Sequence, residues 1–275
     1  MNTKNVTKDI RIVNNKSGLN ELLTKVFRKS LAIVLFLVFW QIAPIVGIAD
    51  HQFIPTFSET ISTIWDLILK NEMIVHVKVS LMRAIIGFML AAVIALPLGF
   101  LLGGGFKKVE EFLDPLLQIL AQVNPFSLLP VFILLFGIGE VAKISIIFWV
   151  SIWPILFSTI TGVKTIDPLL IKAARAMGTS KVKLFWKIIL PGSAPNIFAG
   201  LKLSSGNAFL MLIAAEMIGA SAGLGWMVLN SEVNFQINRL FAAAFTIAVL
   251  GILINKTITF IERKVIVWKE ESFTA

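Results

Sequence analysis

The chain has 275 residues, of which 57% are hydrophobic and 15% charged, and its formal net charge is +9. Soluble domains contain about 45–50% apolar and about 25% charged residues, and a chain of this length cannot hide long apolar blocks in a water-soluble core. The absence of cysteine excludes disulfides, thiolate catalysis and sulfur-ligated metals. The apolar residues occur in blocks of membrane-spanning length, which predicts an all-α integral membrane protein.

The first 30 residues are polar and basic, without the apolar core of a cleavable signal peptide. We predict a cytoplasmic N-terminal arm over residues 1–30. Within it, LNELLTKVFRK (19–29) places apolar residues on one helical face with basic residues around them. Such a stretch can lie along the inner leaflet, although an orientation signal for the first span also explains the basic residues.

Reading for apolar runs of about 20 residues predicts about six transmembrane helices in a domain over residues 31–265, followed by a cytoplasmic tail over 266–275. The six segments are 31–48, 79–103, 112–136, 142–161, 196–218 and 240–261. The third contains Asn124 and two prolines, which predicts a broken or kinked helix that faces protein or a cavity. Residues 55–71 predict a short surface helix capped by Thr56 or Ser58.

Lysine and arginine are distributed unequally between the two sides of this arrangement. With the N-terminus inside, 18 of them lie in the N-terminal arm, in two loops and at the C-terminal end from Arg263 onward, whereas the opposite loops hold only Lys70, Lys143 and Arg239. Under the positive-inside rule this asymmetry predicts that both termini are cytoplasmic. It also explains the net charge without a nucleic-acid partner.

A basic stretch interrupts the apolar segments at residues 167–191. Its basic residues are Lys172, Arg175, Lys181, Lys183 and Lys187. Small alanines and a glycine would let another protein approach closely, while the lysines would also favour anionic lipid headgroups. These residues alone leave both docking to a protein and resting on the membrane open.

Local signals in this stretch predict two short helices joined by a turn. Asp167 followed by proline favours a helix start, and Gly178 favours a left-handed stop. Thr179 or Ser180 can cap a second helix, which we expect to end at Pro191 because proline cannot continue a helix.

The same stretch resembles the EAA loop of ABC importer permeases. Two alanines are followed after three residues by a glycine, after nine by an isoleucine and after one more by Leu-Pro. By this resemblance the ATPase-coupling residues are Lys172, Ala173, Ala174, Gly178, Ile188, Leu190 and Pro191. The family's usual glutamate is Lys172 here, so either this contact with the ATPase differs locally or the ATPase carries a compensating acidic residue. The stretches 54–68, 128–144 and 215–230 are similar to the sulfonate, taurine and nitrate permease branch.

The resemblance implies a type I ABC importer permease fold in the cytoplasmic membrane and a small anion, such as an alkanesulfonate, taurine or nitrate, as the solute. It implies an ABC ATP-binding subunit, a second permease copy, an extracytoplasmic substrate-binding protein and membrane lipid as partners. No P-loop motif occurs, so the chain is expected to be no enzyme and to hold no cofactor itself, with ATP and Mg bound by the partner ATPase. His51 and His76 are isolated, which argues against a metal site.

Ionisable and polar residues inside membrane segments are candidates for a translocation pathway. These candidates are Glu216, Arg83, Asn124, Ser205 and Asn207. Arg83 could meet an anionic solute or pair with Glu216. Interhelical packing is the alternative for the serine and the asparagines, because small polar residues commonly join membrane helices.

Three other functions remain open at this point. An ATP-independent secondary transporter or channel would need its own coupling site, for which Glu216 with Arg83 is the visible candidate. A membrane scaffold would use the basic loop only to recruit a partner. A permease of the same family could carry a pyrimidine or flavin precursor.

Overall fold

The computed structural model describes residues 31–266. The predictions for the N-terminal arm, including the 19–29 helix, and for the tail after residue 266 lie outside this range. The chain divides into two compact units at Thr63 and Ile64, and each unit is described by itself. Every regular element in the described range is helical.

The first unit contains helix α1 (Leu31–Ile45) and the start of α2 (Phe57–Leu69). Helix α1 is shorter than the predicted 31–48. A reciprocal capping box starts α2: the Thr56 N–H donates to Glu59 Oε2 at 2.8 Å, and the Glu59 N–H donates to Thr56 Oγ1 at 3.3 Å. Thr56 is therefore the cap, and its N–H holds the pKa of the Glu59 carboxyl below its ordinary value.

In the second unit, helix α3 (Glu72–Phe100) continues through a π-helical turn at Leu101–Gly105. It starts seven residues before the predicted segment 79–103, because its first two turns carry polar residues that an apolar window rejects. Helices α4 (Lys107–Ala121) and α5 (Pro125–Phe136) follow. They bend by 89° at their junction, which confirms the break predicted in the third segment.

Helix α6 (Glu140–Lys164) leads to the basic loop, where α7 (Pro168–Ala176) and α8 (Lys181–Leu184) lie. A π-helical turn at Phe185–Ile189 joins α8 to α9 (Leu190–Met217). Helices α10 (Leu224–Val233) and α11 (Ile237–Val265) complete the described chain.

The prediction that a separate helix ends at Pro191 is wrong. The helix runs without interruption from Lys181 to Met217. Pro191 lies in the first turn of α9, immediately after the π-helical turn. Proline disrupts a helix by removing one hydrogen bond and crowding the preceding turn. A π-helical turn already widens the hydrogen-bonding pattern there, so the chain passes the proline without a break.

Within residues 31–266, four helical stretches are long and apolar enough to cross a membrane, and the bent α4–α5 pair gives a fifth. They are Glu72–Gly105, Glu140–Lys164, Lys181–Met217 and Ile237–Val265. Helix α1 is apolar but shorter. The number of spans and the side of each terminus therefore stay predictions.

Helices α3, α6 and α9 form the centre of this unit through close contacts at glycines. A Cβ atom at Gly200 of α9 would lie 2.5 Å from Ser158 Cβ and 2.8 Å from the carbonyl oxygen of Pro154 on α6. A Cβ at Gly87 of α3 would lie 2.6 Å from Ile147 Cγ2. Small residues allow membrane helices to approach closely, and van der Waals packing then stabilises the pair.

Replacing Gly200 by valine should push α6 and α9 apart. We expect a loss of about 1–3 kcal/mol in the free energy of unfolding, the range for an overpacked core. The measurement is unfolding of the purified protein in mixed micelles. Gly206→Val is the matched control, because no atom lies within 4 Å of a Cβ built at Gly206 of the same helix. Equal losses in the two variants would contradict the packing role of Gly200.

Candidate functional site

The basic loop folds as its local signals predict. The Asp167 side chain accepts the N–H of Leu169 at 2.8 Å and caps α7. Gly178 has φ of +74°, in the left-handed region that favours glycine. Of the two predicted caps for the next helix, Ser180 is the one used, since its hydroxyl accepts the N–H of Lys183 at 3.4 Å.

An open cleft of about 380 Å³ lies between α7 and the start of the continuous helix Lys181–Met217, which we name the long helix. Its lining residues are Leu170, Ala173, Ala174, Met177, Lys187, Ile188, Pro191 and Gly192. It thus brings together four of the predicted coupling residues, whereas Lys172, Gly178 and Leu190 do not line it. Ala174 is 2% exposed and supports the loop from beneath, while Ala173 is open to a partner.

The surface around this cleft is apolar and basic. Five large apolar side chains of the loop are between 57% and 78% exposed, namely Leu169, Leu170, Met177, Val182 and Trp186. In the part of the chain that the structure describes, none of the five basic residues of 167–191 forms an ion pair. Exposed apolar area of this kind is typical of a surface that contacts another protein or the membrane.

A second site lies at the opposite end of the helices, around Arg83 of α3. The guanidinium is buried and donates four hydrogen bonds. Nη1 donates to Glu216 Oε1 and to the Ala222 carbonyl, each at 2.7 Å. Nε and Nη2 donate to the two carboxylate oxygens of Glu140, each at 2.6 Å. We name Arg83, Lys143, Glu140 and Glu216 the charge cluster.

Glu216, the carboxylate at the end of α9, is 0% exposed and fully hydrogen-bonded. Besides Arg83, it accepts the hydroxyl of Ser80 at 2.7 Å and the N–H of Gly225 at 3.0 Å. A Cβ at Gly223 would lie 2.4 Å from this carboxylate. Glu216 therefore fastens the turn after α9 to α3.

The same turn is held by two more side chains of α3. The Gly223 N–H donates to His76 Nδ1 at 3.1 Å, and the Leu224 N–H donates to Ser80 Oγ at 2.8 Å. The His76 ring stacks on Trp226 with 5.2 Å between centroids. Accepting that N–H requires an unprotonated Nδ1, so His76 is neutral in this arrangement.

Glu140, at the first position of α6, is held less firmly than Glu216. Its side chain is 58% exposed, against 5% for the side chain of Arg83. Lys143, one turn further along α6, is 4% exposed. The Lys143 Nζ donates to the Gly219 carbonyl at 3.3 Å and lies 4.0 Å from Glu140 Oε1.

The other pathway candidates are not part of this cluster. Asn124 caps α5 by accepting the N–H of Phe126 at 2.9 Å. The Ser205 hydroxyl donates to the Lys202 carbonyl at 2.9 Å and lines an apolar groove of about 470 Å³ between α3, α9 and α11. Asn207 is partly exposed. Their part in a pathway stays a prediction.

Sequence reasoning missed Glu140, Lys143, Ser80 and His76 as members of the second site. A signal was present: Glu140 and Lys143, like Ser80 and Arg83, are three residues apart, which places each pair on one face of a helix. Glu140 lies two residues before the predicted segment 142–161, so a search for charges inside the predicted membrane segments does not reach it.

Residues 95–267 match the family of binding-protein-dependent transport system inner membrane components. This chain belongs to that family. It is thus a multi-pass protein of the cytoplasmic membrane and an ABC transporter permease, as the loop motif indicated.

Its relatives carry transport names. SsuC of Bacillus subtilis, named as an aliphatic sulfonates transport permease protein, is 36% identical over 84% of this chain and 83% of its own length. The taurine transport system permease protein TauC of Escherichia coli is 32% identical over 71% of each chain. The nitrate import permease protein NrtB of Synechocystis is 29% identical over 88% of this chain and 90% of its own.

A solved structure of the MetNI methionine ABC transporter, in an inward facing conformation, has the same fold. The TM-score is 0.59 with 22% sequence identity, and the match covers 68% of this chain and 92% of the other. At this identity the likeness shows the fold alone.

Replacing Glu216 by glutamine should destabilise the protein far more than replacing Glu140 by glutamine. Glu216 is wholly buried, and breaking a buried ion pair costs about 3–5 kcal/mol, whereas the partly exposed Glu140 resembles a surface pair worth about 1 kcal/mol or less. Denaturant unfolding of the two variants in micelles makes the comparison. Similar losses would mean that Glu216 does not hold the turn.

Proposed function

We propose that this chain is the permease subunit of an ATP-driven importer for a small anion of the alkanesulfonate, taurine or nitrate type. Family membership and the names of the relatives support this proposal. The permease works as a homodimer, receives solute from an extracytoplasmic binding protein and depends on a separate subunit that binds ATP and Mg. The observation that carries the coupling role is the exposed cleft in the basic loop.

The loop suits docking in a cleft of an ABC ATP-binding subunit, and the cleft in the loop itself takes up a side chain of that subunit. The residues that line this cleft are mostly apolar, and the small side chain of Ala173 leaves room in it. Exposed leucine, methionine and tryptophan side chains surround the cleft. Burying such area on a partner is favourable by about 25 cal/mol per Å² of apolar surface. The loop is therefore a docking surface whose shape is provided by α7 and the start of the long helix.

The long helix gives the docking surface a mechanical connection to the charge cluster. Lys181–Met217 is one helical stretch of 37 residues, about 55 Å at 1.5 Å per residue. The loop lies at its start and Glu216 at its end. When the ATP-binding subunits close and pull the loop, this helix moves as a rod and carries Glu216 with it, which changes the opposite end of the pathway.

Enlarging Ala173 should remove the ATP-binding subunit without unfolding the permease. Ala173→Leu fills the cleft that the partner enters, so we expect about a tenfold drop in the ATPase that copurifies with the tagged permease. Ala176→Leu is the matched control, because Ala176 is exposed on the same helix and does not line the cleft.

Two results would overturn the proposal. One is an ATPase yield that is the same for the Ala173 and Ala176 variants. The other is a purified permease without any P-loop ATPase that still moves solute in vesicles, which would favour an ATP-independent transporter.

The charge of the loop indicates the charge of its partner. Residues 167–191 contain five basic residues and one acidic residue, Asp167. The facing surface of the ATP-binding subunit is therefore acidic. Lys172→Glu should weaken the complex about tenfold at low salt, with the difference shrinking at high salt because screening shortens electrostatic reach. Lys108→Glu, an exposed charge reversal outside the loop, should leave binding unchanged. A Lys172 variant that binds as well as the native chain would contradict an acidic partner surface.

A further inference from the structure

The two carboxylates that bind the Arg83 guanidinium differ in how easily another anion could replace them. Glu216 accepts hydrogen bonds from Ser80 and from the turn after α9 as well as from Arg83, and it is 0% exposed. Among residues 31–266, the hydrogen bonds to the Glu140 carboxylate are the two from Arg83, and its side chain is 58% exposed. Glu140 can turn into solvent, where water replaces its hydrogen bonds, but Glu216 cannot.

The backbone before Glu140 also allows such a movement. Gly137, with φ of +78°, and Gly139 flank an isoleucine that is 74% exposed, and no atom lies within 4 Å of a Cβ built at either glycine. The first residue of α6 is therefore attached to an uncrowded segment.

Turning Glu140 outward would leave one unbalanced positive charge. The charge cluster holds Arg83 and Lys143 against Glu140 and Glu216, so its formal charge is zero with both carboxylates in place. Without Glu140 the sum is +1 beside two free donors, Nε and Nη2 of Arg83. Arg83 then keeps Glu216 as a partner, but its two unsatisfied N–H groups and the excess positive charge favour one replacement monoanion.

We propose that Glu140 occupies an anion-binding site and that a small monovalent oxyanion of the transported class displaces it there. This inference rests on the proposed function and identifies Arg83 as the residue that first binds the transported anion. Two oxygens of a sulfonate, nitrate or carboxylate accept the parallel N–H groups of Arg83, as the oxygens of Glu140 do in this state. Lys143 and the N-terminus of α6 add attraction for the anion.

The charge balance sets the selectivity of the site. A monoanion restores the zero sum that Glu140 leaves, whereas a dianion such as sulfate brings an excess negative charge next to Glu216. Chloride is a single atom and has no pair of oxygens to accept both N–H groups of Arg83. A phospholipid headgroup shares the monovalent oxyanion chemistry, so the experiment must separate a dissolved anion from a lipid.

The experiment is thermal unfolding of the full chain, purified in a neutral detergent, with increasing sodium methanesulfonate or sodium nitrate. Sodium chloride and sodium sulfate at equal ionic strength are the references. We expect a saturable rise of the unfolding midpoint with methanesulfonate and nitrate only, since a ligand that binds the folded state stabilises it by mass action.

Variants locate the response. Glu140→Ala removes the internal competitor, so its apparent Kd for methanesulfonate should fall about tenfold. Lys143→Gln keeps a donor for the Gly219 carbonyl but loses the charge, and its apparent Kd should rise about tenfold. Glu232→Ala is the matched control, an exposed glutamate outside the charge cluster, and should behave as the native chain does.

Several results would overturn the inference. These are no saturable response in the native chain, a response in the Glu140 variant alone, or Lys143 and Glu232 variants that do not differ. Abolition of the methanesulfonate response by a few equivalents of phosphatidylglycerol would assign the site to lipid and likewise overturn it. A failed anion response beside an ATPase that still depends on Ala173 removes only this inference, whereas loss of the ATPase dependence removes the proposed function itself.

Discussion

The end of the helix bundle opposite the basic loop depends on the interactions of one buried carboxylate, that of Glu216. A charge inside a membrane-spanning helix is stable only if paired and hydrogen-bonded. Here Arg83, Ser80 and the Gly225 N–H supply those partners. The hydrogen bonds of this one carboxylate therefore fix α3, the end of α9 and the following turn relative to each other. A side chain at position 223 would clash with the carboxylate, so this position requires glycine.

The long helix places this constraint and the basic loop on one continuous element. The π-helical turn at Phe185–Ile189 and Pro191 lie near its start, where the loop meets it. Tight glycine contacts with α6 lie in its middle, at Gly200. A movement that begins at the loop thus acts on packed helices before it reaches the buried carboxylate, which is the kind of connection that an ATP-driven permease needs.

Much of the architecture followed from local signals. Four of the predicted apolar segments, the break near Asn124, the cap at Asp167 and the left-handed Gly178 are confirmed, because each depends on a few neighbouring residues. The stop at Pro191 was wrong because proline was treated as a terminator, whereas a preceding π-helical turn relieves its missing hydrogen bond. Helix ends also extended into polar residues that an apolar window excludes.

The membrane environment, the apolar helices, the basic loop and the family are all readable from the amino-acid sequence. Those properties arise from composition and short-range spacing, which can be read along the chain. The folded chain alone reveals that Arg83 contacts Glu140, 57 residues away, and Glu216, 133 residues away. That meeting depends on how far each helix is rotated and shifted against its neighbours, and the packing of small residues between helices sets those values, not any local pattern.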